Sequence, residues 1–254
     1  MRLVCLFLIA LVTAANAKHY HLFVLTGQSN SLGSSGCVWT GLQAYQGRCY
    51  PGNATHWGPE IDFFRSLYRA GVRDFGIIKV SRGGGGNTNW SKSSGGHMYE
   101  HVKQTVDVAT EALTAAGDTF EIVGFLYVQG GRDSSGEASI ADTRLDELIS
   151  NLRADLPNAS SMHAVVGGIA AAGGNRDTVR IKQAELAAGD LAIDYFENLD
   201  LQGQLYDSLH FDRAAKLMVG KRFAKAFFEA GVVAPDYGKL VFVGDSVTQG
   251  GLGF

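Results

Sequence analysis

Leu22-Phe23-Val24-Leu25-Thr26-Gly27-Gln28-Ser29-Asn30-Ser31-Leu32-Gly33 is the stretch that decides the fold. A short continuous apolar run, Leu22 to Leu25, gives way at once to small and polar turn residues, which is the pattern of a strand buried on both faces. Runs of the same kind recur at Phe75 to Val80, Ile122 to Val128, His163 to Gly168 and Ile193 to Glu197. Longer amphipathic stretches lie between them and predict helices over Glu60 to Ala70, His97 to Ala116, Ile140 to Ala154, Arg176 to Ala188 and Asp212 to Ala230. Asp212 is a candidate cap for the last helix, since its carboxylate accepts from the free N–H groups of a first turn. This β-α-β alternation predicts an α/β fold, a three-layer α/β/α sandwich with a five-stranded parallel sheet and right-handed crossovers. In such sheets, sites collect at the carboxyl ends of the strands.

The chain of 254 residues, 46% of them apolar, suits one sizeable domain. Its formal charge of -3 leaves no basic footprint for a nucleic-acid backbone, so a neutral or small polar substrate fits better. Met1-Arg2, the apolar run Leu3 to Val12 and the Ala-Asn-Ala ending at Ala17 read as a secretory signal over residues 1–17. The reading is therefore a secreted, periplasmic or extracellular protein with no membrane association after cleavage. An uncleaved anchor is the alternative, although the run is short for a bilayer span. Of the three cysteines, Cys5 leaves with the signal. Cys37 and Cys49 remain, either as a disulfide contributing about 3 kcal/mol or as two buried thiols.

Ser29 sits where the first strand gives way to a turn, a good position for a nucleophile. The adjacent glycine permits a tight turn, and the turn's N–H groups point outward. The stretch is neither the Gly-x-Ser-x-Gly elbow nor a phosphate loop, whose lysine is missing. Near the other end, Asp207-Ser208-Leu209-His210 follows the last strand. Two intervening residues let both side chains face one way, so the carboxylate can orient the imidazole and stabilise it when protonated. Donors for an oxyanion are offered by Ser81-Arg82-Gly83-Gly84-Gly85-Gly86 after the second strand and by Gln129-Gly130-Gly131-Arg132-Asp133 after the third. Taken alone, the Ser29 turn and the Asp207–His210 pair read more readily as an ordinary turn and cap, and the two donor turns read equally well as simple strand-to-helix connections.

Together the four clusters resemble the SGNH hydrolase superfamily, and more narrowly the sialate O-acetylesterase-like carbohydrate esterases, over Tyr20 to Ala230. Gly27-Gln28-Ser29-Asn30 looks like the first block, which supplies the nucleophile and an oxyanion amide. Gly83-Gly84 with the following Trp90 looks like the second, Gln129-Gly130 like the third, and Asp207 to His210 like the last. The resemblance implies a flavodoxin-like fold over residues 18–233 and a catalytic set of Ser29, Asp207 and His210. It also implies an oxyanion hole made of the Ser29 amide, the Gly84 amide and the Gln129 side chain. The implied substrate is an O-acetylated sugar, a sialic acid or an acetylated polysaccharide, and no metal or organic cofactor is called for.

Three departures stand out. Gly131 occupies the family's usual glutamate position, which bears on substrate recognition or loop geometry, while Asp133 is retained. Tyr127 replaces a usual tryptophan. The tail, residues 234–254, holds Leu240-Val241-Phe242-Val243-Gly244-Asp245-Ser246, which resembles the opening block of a second, truncated SGNH domain. Ser246 has no later partners in the chain and is not expected to be the working nucleophile. Two further readings stay open, a non-catalytic carbohydrate-binding protein and a lipid esterase or thioesterase of the same superfamily. His97 and His101 are read as surface residues rather than metal ligands. Trp39, Trp57 and Tyr50 either stack on a sugar or fill core space.

Overall fold

The computed structural model describes residues 17–32 and 57–236. The signal run, the Cys37 and Cys49 pair, Trp39, Tyr50 and the tail motif with Ser246 lie outside the described residues. Five strands, β1 (His19–Gly27), β2 (Phe75–Ser81), β3 (Thr119–Val128), β4 (His163–Gly167) and β5 (Ile193–Phe196), pair in parallel in the order β2-β1-β3-β4-β5. This is the flavodoxin-like order, with a switch point beside β1, where the chain turns first to β2 and later to β3 on the other side. Gly27 closes β1 in register with Ser81 of β2 and Val128 of β3, so three strand ends meet at the residue before Gln28 and Ser29.

The helices among the described residues are α1 (Ser29–Leu32), α2 (Glu60–Arg69), α3 (His97–Ala115), α4 (Ser135–Ser139), α5 (Ala141–Asp155), α6 (Asn175–Gly189) and α7 (Arg213–Glu229). Alternation along β1 divides the core between two faces. Leu22 and Val24 join Val102 and Val106 of α3 and Leu148 and Leu152 of α5. Phe23 and Leu25 join Phe63 and Leu67 of α2 and Phe223 and Phe227 of α7. The Phe23 ring meets Phe63 and Phe227 edge-on at centroid distances of 5.0 and 5.1 Å, a favoured aromatic geometry. The three-layer sandwich expected from the sequence is the architecture observed, and no helix among the described residues is long and apolar enough to cross a membrane.

The differences from expectation have local causes. β1 and β3 begin three residues before their apolar runs, because their first turns of pleat carry polar residues at the exposed sheet rim. The helix expected from Ile140 begins at Ala141 and is preceded by α4, a short helix held by a capping box between Ser134 and Glu137. Asp212 does cap α7, accepting the Ala215 N–H at 2.8 Å. The end of α1 is fixed by a buried ion pair. Lys79 of β2 donates to the Leu32 carbonyl at 3.0 Å and to Glu60 at 2.8 Å, and Glu60 also accepts the Gly58 N–H.

Gly27 is the tightest point in this arrangement. Its φ is +139°, and a Cβ there would lie 2.1 Å from the Val128 carbonyl oxygen. That carbonyl accepts the Gln28 N–H at 2.9 Å, so the chain cannot move away without losing the bond that starts the turn. Gly27→Ala is expected to lower unfolding free energy by more than about 2 kcal/mol in a denaturant titration, through backbone strain added to a steric clash. A loss below 1 kcal/mol would contradict that close approach.

Candidate active site

The β1 end and the loop before α7 bring Ser29, His210 and Asp207 together. His210 Nε2 lies 2.8 Å from Ser29 Oγ, and His210 Nδ1 lies 2.6 Å from Asp207 Oδ2. Asp207 Oδ1 accepts the backbone N–H groups of Leu209 and His210 at 2.8 and 2.7 Å, so the Asp-x-x-His spacing closes into a tight turn around the carboxylate. Burial would raise the Asp207 pKa, but these bonds from the His210 ring and backbone outweigh it and hold the group at about 2. Asp207 is thus ionised at neutral pH, accepts Nδ1–H, and leaves the Nε2 lone pair facing the Ser29 hydroxyl. Because the folded pKa is depressed, Asp207 stabilises the fold above its unfolded value near 3.9, an effect lost as pH falls toward about 2.

The loop carrying this pair is braced on both sides. Leu205 and Phe211 form an antiparallel bridge, and the Tyr206 N–H donates to the His210 carbonyl at 3.0 Å. The Tyr206 ring stacks on the His210 ring at 5.5 Å with an interplanar angle of 16°. Arg222 of α7 grips the turn that leads in, donating to Asp200, the Asn198 side chain and the Glu197 carbonyl. No sequence motif announced the Tyr206 contact, since an exposed tyrosine four residues before His210 carries no periodic signal.

The residues flanking Ser29 tie its turn to the rest of the site. Asn30 is buried and uses both ends of its amide on the residues beside His210. Its Nδ2 donates to the Leu209 carbonyl at 3.1 Å, and its Oδ1 accepts the Phe211 N–H at 2.9 Å. Gln28, also buried, faces the opposite way. Its Nε2 donates to the Gly85 carbonyl, and its Oε1 accepts the Gly131 N–H at 2.9 Å. Ser31 and Ser81 share a hydroxyl bond at 2.8 Å, and the buried Trp90 donates its indole N–H to Thr26 at 2.9 Å. Sequence reasoning singled out Ser29 and assigned no role to Gln28 or Asn30. The available signal was two amide side chains bracketing a serine at a buried strand end, where each must find partners.

The expected oxyanion donors lie on the two neighbouring strand ends. A Cβ on Gly83 would come 3.8 Å from Ser29 Cβ, which places the glycine turn directly beside the serine. Gly84 has φ +80°, with open space where a side chain would be. Gln129 is buried, and its Nε2 donates to the Asp133 carboxylate. Gly131, the position that departs from the family pattern, packs under Leu209. A Cβ there would meet Leu209 Cδ1 at 2.9 Å and Gln28 Oε1 at 3.3 Å. A glutamate therefore does not fit unless Leu209 moves, and the departure is matched by a leucine filling the same space. Tyr127 is buried and meets Trp90 edge-on at 6.3 Å, keeping an aromatic contact at that point.

His97 and His101 form an edge-on ring pair at 6.0 Å, with Arg82 Nη1 3.5 Å from His97 Nδ1. Burial, with Arg82 and His101 adding to it, pushes His97 below the ordinary histidine pKa. Among the described residues no group of three metal-ligating side chains converges. Trp57 lies under the Lys216 ammonium, 5.5 Å from its ring centroid.

A family model described as carbohydrate esterase, sialic acid-specific acetylesterase matches residues 43–229. The match begins after the Ser29 turn and takes in Gly84, Gln129, Asp133, Asp207 and His210. No curated protein matches the chain. Among solved structures, a protein from Arabidopsis thaliana is similar at 23% identity and a TM-score of 0.65, covering 82% of this chain and 98% of its own. A carbohydrate acetylesterase from Xanthomonas citri is similar at 15% identity and a TM-score of 0.58, covering 83% of this chain and 56% of its own. A family two carbohydrate esterase from Clostridium thermocellum, solved with cellohexaose, is similar at 15% identity and a TM-score of 0.51, covering 84% and 65%. At these identities the likeness is one of fold.

Asn30→Ala removes the two bonds by which its amide ties the Ser29 turn to the His210 loop and leaves a buried carbonyl and N–H unpaired. It is expected to cost about 2 to 4 kcal/mol of stability in a denaturant titration. It is also expected to slow the reaction of Ser29 with a serine-directed fluorophosphonate. Unchanged stability together with unchanged labelling would show that the two loops hold their positions without Asn30.

Proposed function

Because the chain belongs to the carbohydrate esterase, sialic acid-specific acetylesterase family, we propose that it is a secreted serine esterase that removes O-acetyl groups from sugars. The observation that carries this reading is the continuous relay from Asp207 through His210 to Ser29, at 2.6 and 2.8 Å, on the carboxyl edge of a parallel sheet. Ser29 Oγ attacks the acetyl carbonyl as His210 Nε2 takes its proton. Asp207 stabilises the imidazolium that forms. The Ser29 and Gly84 amides and the Gln129 side chain are assigned to the negative oxygen of the tetrahedral intermediate.

As the intermediate collapses, the sugar hydroxyl leaves with the proton from His210, and the acetyl group stays on Ser29. Water, deprotonated by His210, then attacks the acetyl carbonyl. Collapse of the second intermediate releases acetic acid and restores the serine. The residues of the site perform every proton transfer in this cycle. That the Clostridium thermocellum relative was solved with cellohexaose supports a carbohydrate substrate for this chain. The choice between a sialic acid and an acetylated polysaccharide turns on groups beyond the acetyl, and export on the Met1 to Ala17 signal.

The test is acetate release from acetylated xylan and from O-acetylated sialic acid. Wild-type protein is expected to release acetate from one of them. Ser29→Ala is expected to lose at least about 10⁴-fold in kcat while folding normally, and Ser246→Ala to leave activity intact. No release from either substrate, with no fluorophosphonate label on Ser29, would favour the carbohydrate-binding alternative. Loss in Ser246→Ala with retention in Ser29→Ala would overturn the site.

A further inference from the structure

Asp133 is a buried carboxylate to which the esterase cycle assigns no step. It is 6% exposed and lies between the glycine turn after β2 and the turn after β3. Its Oδ1 accepts the Asn87 backbone N–H at 3.1 Å and an N–H of the Gln129 amide, while its Oδ2 accepts Asn87 Nδ2 at 3.1 Å. Asn87 Nδ2 also donates to the Glu137 carbonyl at 2.8 Å, and Asn175 Nδ2 donates to the Asp133 carbonyl at 3.1 Å. The backbone of Gln129 is held separately, its carbonyl accepting Gln183 Nε2 at 3.3 Å. The carboxylate is thus the point where the two segments carrying the assigned oxyanion donors meet.

We propose that Asp133 is the positioning residue of the oxyanion hole, an ionised carboxylate that sets which end of the Gln129 amide faces the substrate. The inference rests on the esterase reading above. An amide presents an oxygen at one end and two N–H groups at the other, and rotation by half a turn exchanges them. A carboxylate only accepts hydrogen bonds, so it holds Nε2 in place. One of its hydrogens is taken by Asp133 and the second is left for a negative oxygen beside Ser29. An uncharged group at the same place carries a donor of its own and accommodates Oε1 equally well. The reversed amide would set an acceptor against the developing oxyanion.

The charge state of Asp133 therefore enters the rate. Burial raises its pKa to about 6, with Glu137 of α4 adding to the rise and the bonds from Gln129 and Asn87 opposing it. The other charged or titratable neighbours are Tyr127 of β3, which stays neutral in its buried position, Arg132 next in the chain, and Arg176 of α6, whose Nε approaches the Gly131 carbonyl at 3.4 Å. Protonation of Asp133 therefore slows turnover by releasing the Gln129 amide, a route separate from loss of the general base.

The test compares wild type, Asp133→Asn, Gln129→Ala and the double variant on the acetyl ester that the wild type cleaves. Asp133→Asn is expected to lower kcat by roughly 10²-fold with little change in KM, the size of effect seen when one oxyanion donor is lost. The double variant is expected to be no slower than Gln129→Ala alone, because the effect passes through Gln129. As pH falls through about 6, the advantage of the wild type in kcat/KM over Asp133→Asn and over Gln129→Ala should shrink toward none. An unchanged kcat in folded Asp133→Asn, or losses that multiply in the double variant, would overturn the proposal alone. If Asp133→Asn does not fold, Gln129→Ala decides, since a wild-type advantage over it that stays constant as pH falls through about 6 overturns the proposal. An inactive wild type whose Ser29 resists labelling overturns the esterase reading and this one with it.

Discussion

Two buried amides, one on each side of Ser29, hold the site together, and most of the local architecture follows from their need for partners. A side-chain amide taken out of water at a strand end must find hydrogen bonds or cost several kcal/mol. Asn30 finds them on the residues flanking His210, and Gln28 finds them on the turns after β2 and β3. The Ser29 turn is thereby tied to the His210 loop on one side and to the turns after β2 and β3 on the other. The sheet makes this possible because β1 lies between β2 and β3, so their carboxyl ends come within reach of a single turn. His210 arrives from much later in the chain, and the amide of Asn30 sets its loop against that turn.

The layers were legible because burial leaves a direct mark on composition. Leu22 to Leu25 reads as a strand covered on both faces, and its alternate residues do enter separate cores against α3 and α5 or α2 and α7. The Ser29, Asp207 and His210 cluster was legible because each residue follows a strand, where a parallel sheet exposes its sites. The bracing around it was not. Whether Asn30 faces Leu209 or solvent depends on how residues 179 and 181 positions apart meet in space, and periodicity reports only neighbours along one element. The stack of Tyr206 on His210 is hidden for the same reason. The short helix α4 escaped because five residues are too few to show a helical period.

Gly131 illustrates how a departure from a family pattern reads differently once packing is seen. Taken alone, loss of a glutamate suggests loss of a recognition group. In the structure the space above Gly131 belongs to Leu209, which is buried and adjacent to His210, and the Gly131 N–H is held by Gln28. The turn keeps its backbone bond and its contact with the base loop without a carboxylate. What changes is the charge beside Leu209 and Gln28. Asp133 and Glu137 are both committed to backbone and amide donors of the neighbouring turns.

In Asp133, stability and the definite placement of the Gln129 amide draw on opposite charge states of one group. Its folded pKa is raised to about 6 by burial, above the unfolded value near 3.9. By linkage, its contribution to stability is fully present below the unfolded pKa and is lost as pH rises through about 6. At neutral pH the fold therefore carries an ionised, buried carboxylate that a neutral side chain would spare it. The charge alone disfavours this position, and a neutral acceptor that kept the bonds from Asn87 and Gln129 would avoid that cost. What an ionised acceptor supplies, and a neutral one does not, is a definite orientation for the Gln129 amide, since only N–H groups can face it. A charge held between the turns after β2 and β3 thus sets a loss of stability against a fixed Gln129 amide, the compromise expected where a preorganised polar site is built into a close-packed interior.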